Sequence, residues 1–140
     1  MLNHPEKTLL IIEDDSIYAE FIHSSLSTAR LPLNLQRVSN VADALAYLRG
    51  EPPYQDRTAH PMPTTILLDI NLSHQSGFAV LGFLRDHGHL ENEKIRVIML
   101  TASDRSEDLQ KALQIGAVSY LIKSPLASTI INIVSKFALN

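Results

Sequence analysis

Short apolar runs alternate along the chain with longer stretches in which apolar residues recur at helical spacing. The runs have the length of strands, and the longer stretches have the length and period of amphipathic helices. The 140 residues therefore predict strands at 9–12, 33–38, 65–70, 95–100 and 118–122, and helices at 16–29, 41–49, 77–87, 105–115 and 126–139. Strands that alternate with helices indicate βαβ crossovers and a parallel sheet. The middle run, Ile66-Leu67-Leu68, is apolar on both faces, as expected of a strand covered by helices on each side.

Turn and capping residues support these boundaries. Ser39 or Asn40 can cap the second helix, and Gly50 followed by two prolines ends it. Residues 50–63 carry four of the seven prolines, which predicts a long surface loop. Because that loop is too short to join two domains, we expect a single domain over residues 1–140.

The composition argues against several functional classes. The chain has no cysteine, which rules out disulfides, thiol catalysis and cysteine-bound zinc. Its formal net charge is −3, so it lacks the basic surplus that nucleic-acid binding usually needs. No apolar run approaches the ~20 residues of a membrane span, and the N-terminus lacks the apolar segment of a signal peptide. These features predict a soluble cytoplasmic protein that binds neither nucleic acid nor membrane.

Polar residues gather where four of the predicted strands end. Glu13 and Asp14 follow the first strand, and Asp69 lies at the end of the third. Thr101 follows the fourth strand and Lys123 follows the fifth. The carboxyl ends of parallel strands share one edge of a sheet, where open α/β sheets bind their ligands. The sequence therefore predicts one crevice that contains carboxylates, a hydroxyl and an ammonium group.

Three carboxylates in one crevice require a cation. Glu13, Asp14 and Asp69 would repel one another and raise one another's pKa. A hard divalent ion removes that conflict, and oxygen donors favour Mg²⁺, or Mn²⁺, over zinc. A carboxylate beside such an ion and Lys123 can attack phosphorus, since phosphoryl transfer depends mainly on positioning and charge neutralisation. With Thr101 hydrogen-bonded to a phosphoryl oxygen, the predicted product is an aspartyl phosphate.

The motifs around these residues resemble those of the response-regulator receiver family over nearly the whole chain. They are Leu-Leu-Ile-Ile-Glu-Asp-Asp at 9–15, Ile-Leu-Leu-Asp-Ile-Asn-Leu at 66–72, Val-Ile-Met-Leu-Thr-Ala at 97–102 and Gly-Ala-Val-Ser-Tyr-Leu-Ile-Lys at 116–123. The resemblance implies a flavodoxin-like, doubly wound sheet with strand order 2-1-3-4-5 and helices on both faces. It also implies a Mg²⁺-binding signalling protein, not a classical enzyme, that takes phosphate from a histidine kinase and loses it by autodephosphorylation.

The resemblance also implies roles for the acidic residues and their neighbour. Asp69 resembles the phosphoacceptor of the family. Asp14 resembles a direct metal ligand, and Glu13 resembles the acid that acts through metal-bound water. Asn71 would contribute its backbone carbonyl to the metal, so that role does not depend on its side chain.

The phosphate-binding and switch residues come from the last two motifs. Lys123 resembles the phosphate-binding lysine, and Ala102 belongs to the same phosphate-binding set. Thr101 and Tyr120 resemble a switch pair, in which the hydroxyl moves toward the phosphate and the aromatic ring changes rotamer. Phosphorylation would then reshape the face formed by the fourth helix, the fifth strand and the fifth helix.

The chain departs from the family pattern at three places, and these departures indicate a smaller group within the family. The family's lysine is usually followed by proline through a bond that is often cis, but here Ser124 precedes Pro125. A cis bond before Ser124 would cost about 2.5–4 kcal/mol, and the sequence leaves the geometry of that bond open. The loop at 72–77 lacks the frequent proline and aspartate, and the proline-rich segment at 50–63 is longer than in compact receivers. These features resemble the small regulators that serve bacterial and cyanobacterial phytochrome kinases.

The last predicted helix is apolar over more of its surface than one core contact needs. Its stripe spans roughly 160°, against about 100° for a helix with one buried face. One interpretation is deep packing against its own sheet, and the other is a surplus face that contacts a second copy of the chain or an effector. Because no further domain fits after Asn140, we expect output through a protein effector. A sensor histidine kinase, a phytochrome for example, or a phosphotransfer protein would act upstream.

Other functions remain open at this stage. The altered segments at 73–76 and Ser124 are compatible with a receiver-fold binding module that works without phosphate. A phosphohydrolase with an Asp69 nucleophile would usually carry a second acid two residues later, where this chain has Asn71. A flavodoxin-like FMN carrier would need a phosphate-cradling loop after the first strand, and the acidic residues there would repel the FMN phosphate.

Overall fold

Strands and helices alternate along the chain as the apolar pattern predicts. The computed structural model describes residues 7–72, 75–102 and 106–140, so Ser73 and His74 of the predicted loop lie outside the described residues. The strands are β1 (Thr8–Ile12), β2 (Asn34–Val38), β3 (Thr65–Asp69), β4 (Asn71–Leu72), β5 (Gln75–Ser76), β6 (Arg96–Thr101) and β7 (Ser119–Ile122). The helices are α1 (Ser16–Thr28), α2 (Val41–Arg49), α3 (Phe78–Asp86), α4 (Ser106–Ile115) and α5 (Ala127–Ala138).

Five of these strands form one parallel sheet in the order β2-β1-β3-β6-β7. The predicted doubly wound topology is therefore confirmed, with β6 and β7 as its fourth and fifth strands. The register pairs Ile12 with Leu68, Asp69 with Leu100, and Thr101 with Ile122. Because the pairing is parallel and nearly in step, the carboxyl ends of the four strands β1, β3, β6 and β7 meet at one edge of the sheet.

Two layers of buried apolar side chains pack against the sheet, one on each face. Alternate residues of each strand point to opposite faces, so Leu10 and Ile12 enter one layer while Leu9 and Ile11 enter the other. The first layer also contains residues of α2, α3 and α4, and the second contains residues of α1 and α5. The strand β3 is buried along its whole length, as its continuous apolar run predicts.

The proline-rich segment folds against the amino-terminal side of the sheet. The helix α2 ends at Gly50, whose φ of 70° is the left-handed conformation that favours glycine. The guanidinium of Arg57 donates hydrogen bonds to the carbonyls of Tyr47 and Leu48 at 2.8 and 3.0 Å, which satisfies the free end of α2. Gln36 on β2 donates to the carbonyl of Ala59 at 3.0 Å. The segment therefore contacts β2, one of the two edge strands of the sheet.

The structure departs from the predicted elements in the loop after β3. A two-stranded antiparallel hairpin, β4 with β5, lies where the sequence predicts a loop, because strands of two residues carry no periodicity. In α5, Ile130 and Val134 are fully buried, and Ile131, Ile133 and Phe137 pack against the same core layer. That arrangement favours the interpretation that α5 packs deeply on its own sheet. Within the described part of the chain, no helix has the length and apolar character of a membrane span.

Candidate functional site

Three carboxylates meet at the carboxyl edge of the sheet. Glu13 and Asp14 directly follow β1, and Asp69 is the last residue of β3, the neighbouring strand. One oxygen from each group lies within 4.8 Å of one oxygen from each of the others. Glu13 is fully buried and Asp69 is 3% exposed, whereas Asp14 is the most accessible of the three. The predicted acidic cluster therefore exists, and it is set into the sheet rather than spread over the surface.

Lys123 brings the opposite charge into the same crevice. It follows β7, and its backbone N–H donates to the carbonyl of Thr101 at 2.8 Å. Its Nζ lies 2.7 Å from Oε1 of Glu13 and 3.0 Å from Oδ2 of Asp69. Burial alone would lower the pKa of Lys123, but the hydrogen bonds and charges of Glu13 and Asp69 outweigh burial and raise the pKa. The lysine therefore stays cationic at neutral pH.

Burial raises the pKa of Glu13, whereas it lowers that of Lys123, because in each case it disfavours the charged form. Desolvation raises the pKa of its carboxyl from the ordinary 4.5 to about 7, although Lys123 and the backbone N–H of Asp15 lower it. The Asp15 N–H donates to Oε2 at 3.0 Å. The nearby Asp69 adds to the rise. Without a further cation, the crevice therefore disfavours the full charge of its carboxylates.

The donor set fits a hard divalent cation. All three candidate ligands offer carboxylate oxygens, which suit Mg²⁺ or Mn²⁺ better than softer metals. With three carboxylates ionised and one ammonium present, the formal charge of the group is −3 + 1 = −2. A divalent ion would balance that charge.

The other predicted residues lie around this group at different depths. Thr101 is buried at the end of β6, next to the strand that ends with Asp69, and Ala102 after it is exposed. The backbone N–H of Asn71 donates to Oδ1 of Asp69 at 3.1 Å, while the residue itself is exposed. Tyr120 lies on the edge strand β7 with 41% of its surface exposed.

Gly77 matters at this site because of space rather than backbone conformation. Its backbone N–H donates to the carbonyl of Ile70 at 2.6 Å. A Cβ added at Gly77 would collide with the carbonyl oxygen of Asp69 and would lie 3.3 Å from Cα of Ile70. Its φ of −60° is open to any residue. The glycine is therefore required by the close approach of two backbone segments, which the sequence alone does not reveal.

Sequence reasoning missed one residue that reaches the site from the side. The hydroxyl of Tyr18, on α1, donates to the carbonyl of Ser124 at 3.1 Å and accepts from the N–H of Ser124 at 2.9 Å. Among the described residues the cis peptide bond is Pro52–Pro53, so the bond between Lys123 and Ser124 is trans. No local signal marks Tyr18, because 106 positions separate it from Ser124.

Comparison with known proteins gives a consistent result. Residues 9–135 match the model of the response regulator receiver domain. Response regulator Rcp1 of Synechocystis sp. is 28% identical over 122 residues, which are 87% of this chain and 80% of Rcp1.

Solved structures agree in fold and extent. The Mn²⁺-bound form of Rcp1 is similar with a TM-score of 0.81 and 26% identity, covering 94% of both chains. The phosphorylated cyanobacterial phytochrome response regulator RcpA is similar with a TM-score of 0.80 and 27% identity, covering 96% of this chain and 94% of RcpA. With the matched family model, the sheet order and the acidic crevice all in agreement, this chain belongs to the response regulator receiver family.

Proposed function

We propose that this protein is a single-domain response regulator over residues 1–140, which accepts a phosphoryl group on Asp69 in a Mg²⁺-dependent reaction. The observation that carries the proposal is the placement of Asp69, with an ammonium at 3.0 Å and two further carboxylates beside it. A buried carboxylate in such a setting can act as a nucleophile if the incoming negative charge is neutralised. Lys123 supplies one part of that neutralisation.

The chain's own residues divide the remaining tasks. Asp14, Asp69 and the backbone carbonyl of Asn71 would hold the metal, with Glu13 acting through a bound water. When bound, Mg²⁺ (or Mn²⁺) supplies positive charge at the phosphoryl oxygens. Thr101 and Ala102 would bind the phosphoryl group from the end of β6, opposite Lys123.

Transfer of the phosphoryl group to Asp69 exchanges one bond to phosphorus for another and needs no oxidant or reductant. A carboxylate oxygen of Asp69 forms the new P–O bond while the P–N bond of a phosphohistidine donor breaks. The electron pair leaves with the imidazole nitrogen, which takes up a proton from water. Water later cleaves the aspartyl phosphate and regenerates the carboxylate, so the protein is a phosphoacceptor rather than an enzyme with a separate substrate.

The signal would leave through the face formed by α4, β7 and the start of α5. Apolar side chains are exposed there, including Val118, Tyr120, Ile122 and Leu126. Movement of Thr101 toward a bound phosphoryl group would let Tyr120 change rotamer and alter this face. A protein effector or a second copy of the chain would read the change. Upstream, the family match supports a histidine kinase or phosphotransfer protein in the cytoplasm, and the relatives support a phytochrome kinase.

Intact-protein mass spectrometry after acetyl phosphate treatment tests the proposal. We expect a single phosphoryl adduct on the wild type that requires Mg²⁺, is absent from Asp69→Asn, and persists in the control Asp86→Asn, which alters an exposed carboxylate on α3. An adduct on Asp69→Asn would contradict the assignment of the acceptor. Wild-type protein that takes up no phosphoryl group, from acetyl phosphate or from a panel of kinases, would favour a binding module that works without phosphate.

A further inference from the structure

We infer that Tyr18 is a positioning residue, whose hydroxyl holds the Ser124 peptide and thereby fixes the Lys123 ammonium against Asp69. The inference rests on the proposed function, since it assigns the task to a reaction at Asp69. It adds a residue outside the motifs that carry the family resemblance.

The need for such a residue follows from the chain around Lys123. The strand β7 ends at Ile122 and α5 begins at Ala127, so Lys123 is the first residue of a short connection. Its backbone is tied on one side by the hydrogen bond to the Thr101 carbonyl. A lysine side chain is flexible, and the position of its ammonium depends on where the backbone holds its Cα. A second tie on the other side would therefore make the ammonium position definite.

Tyr18 supplies that second tie through both backbone groups of one residue. Its hydroxyl accepts from the N–H of Ser124 at 2.9 Å and donates to the carbonyl of Ser124 at 3.1 Å. Burial raises the pKa of Tyr18 above its ordinary value, so the hydroxyl keeps its proton at neutral pH and can donate. The two bonds fix the position of Ser124, the residue immediately after Lys123.

Tyr18 is also connected to Glu13 through the backbone and side chain of Asp15. The side chain of Asp15 caps α1 and accepts from the backbone N–H of Tyr18 at 3.2 Å. The backbone N–H of Asp15 donates to Glu13, and Glu13 is paired with Lys123. The hydrogen bonds therefore close a ring that runs from Glu13 through α1 and Ser124 back to Lys123. A closed ring resists displacement better than separate contacts, because moving one member strains the others.

The aromatic ring of Tyr18 makes a separate contribution. The Nζ of Lys123 lies 5.4 Å from the ring centroid, within the range of a cation–π contact. Tyr18→Phe keeps the ring and removes only the hydroxyl, so it isolates the tie. Tyr47→Phe is the matched control, because the Tyr47 hydroxyl is also bound to a backbone carbonyl, that of Pro61 at 2.8 Å, in the loop that follows α2.

The test is the rate of phosphorylation by acetyl phosphate with saturating Mg²⁺, in wild type, Tyr18→Phe, Tyr47→Phe, Lys123→Met and the double variant of Tyr18 and Lys123. We expect Tyr18→Phe to slow the reaction about tenfold, less than the ~100-fold that a 1 Å misplacement can cost. Tyr47→Phe should match the wild type. In the Lys123→Met background, Tyr18→Phe should change the rate by less than about twofold, because a tie that acts through the ammonium has nothing left to position.

Two results would overturn the inference while leaving the proposed function in place. One is a wild-type rate in Tyr18→Phe, and the other is an equal slowing of the reaction with and without Lys123. Amide hydrogen exchange reports on the tie independently: Ser124 should exchange faster in Tyr18→Phe than in wild type, while the Lys123 amide should not. Wild-type protein that accepts no phosphoryl group would overturn the proposed function and the positioning role together.

Discussion

At the scale of single residues, the site depends on opposite charges that lie close together. Lys123 contacts both Glu13 and Asp69, and its charge offsets part of the cost of burying two carboxylates. The hydrogen bond from the Asn71 N–H fixes the other oxygen of Asp69. The carboxylate is therefore oriented from two sides, and its backbone is confined by Gly77.

Substitution of Gly77 should disturb Asp69 through contact with the backbone. We expect Gly77→Ala to lower the free energy of unfolding by about 1–3 kcal/mol, because the new methyl group collides with the Asp69 carbonyl. The phosphorylation rate should fall with it. Gly82→Ala on α3 is the control, since a Cβ there meets no atom within 4 Å. It should stabilise the helix by up to ~1 kcal/mol. Urea unfolding of both variants measures the difference, and equal effects would contradict the explanation.

At the scale of elements, the two edge strands of the sheet, β2 and β7, differ in the side chains that they expose. The half-buried edge strand β2 makes a side-chain hydrogen bond to the proline-rich segment, from Gln36 to the carbonyl of Ala59. The edge strand β7 leaves Tyr120 and Ile122 41% and 42% exposed. Exposed apolar side chains on an open edge are typical of contact surfaces. We propose that a second copy of the chain would bind β7 and the start of α5, rather than the apolar stripe of α5.

Dimerisation through this face predicts a specific response to substitution. We expect wild-type protein to associate reversibly, and Ile122→Ser to weaken the dimer about tenfold, because a partly buried apolar contact is worth roughly 1–2 kcal/mol. Ala42→Ser is the control, since Ala42 is exposed on α2, the helix that follows β2 at the other edge of the sheet. Light scattering over a range of concentrations measures the association. A strictly monomeric wild type, with and without acetyl phosphate, would contradict the prediction.

At the scale of the whole molecule, two apolar layers stabilise the sheet while its carboxyl edge carries concentrated charge. The layers keep β1 and β3 fully buried, so the site residues at their ends are held by rigid strands. Burial of Glu13 is a consequence of that placement. The stability of the whole protein should therefore depend on pH in part through Glu13.

The pH dependence has a definite sign. Between pH 4.5 and about 7 the metal-free folded protein keeps a proton on Glu13 that the unfolded chain releases. The free energy of unfolding should therefore fall as pH rises through this window, by up to about 3 kcal/mol.

Glu13→Gln should flatten the slope of the free energy of unfolding against pH, and the exposed control Glu20→Gln should not. Adding Mg²⁺ after EDTA treatment should also reduce the slope, because the metal favours the ionised site. Denaturant unfolding across this range is the measurement, and an unchanged slope in Glu13→Gln would count against it.

Local patterns in the sequence were enough to predict the order of the main elements and the composition of the acidic crevice. The periodicity of apolar residues can be read within a single segment of sequence. The five strands of the main sheet and the five helices were therefore predicted to within one or two residues at each end. The end of a buried strand is also visible locally, and parallel topology then brings Glu13, Asp14, Asp69 and Lys123 to one edge. These predictions needed no knowledge of side-chain contacts.

Features that depend on contacts between distant segments could be identified only in the folded chain. The contact of Tyr18 with Ser124, the close approach of Gly77 to Asp69, and the bonds from Arg57 to the end of α2 involve groups with no shared local pattern. The same holds for exposure on β7 and burial on α5, since an apolar side chain looks alike in sequence whether or not a neighbour covers it. Local patterning specifies which elements form, and packing in three dimensions specifies which atoms touch.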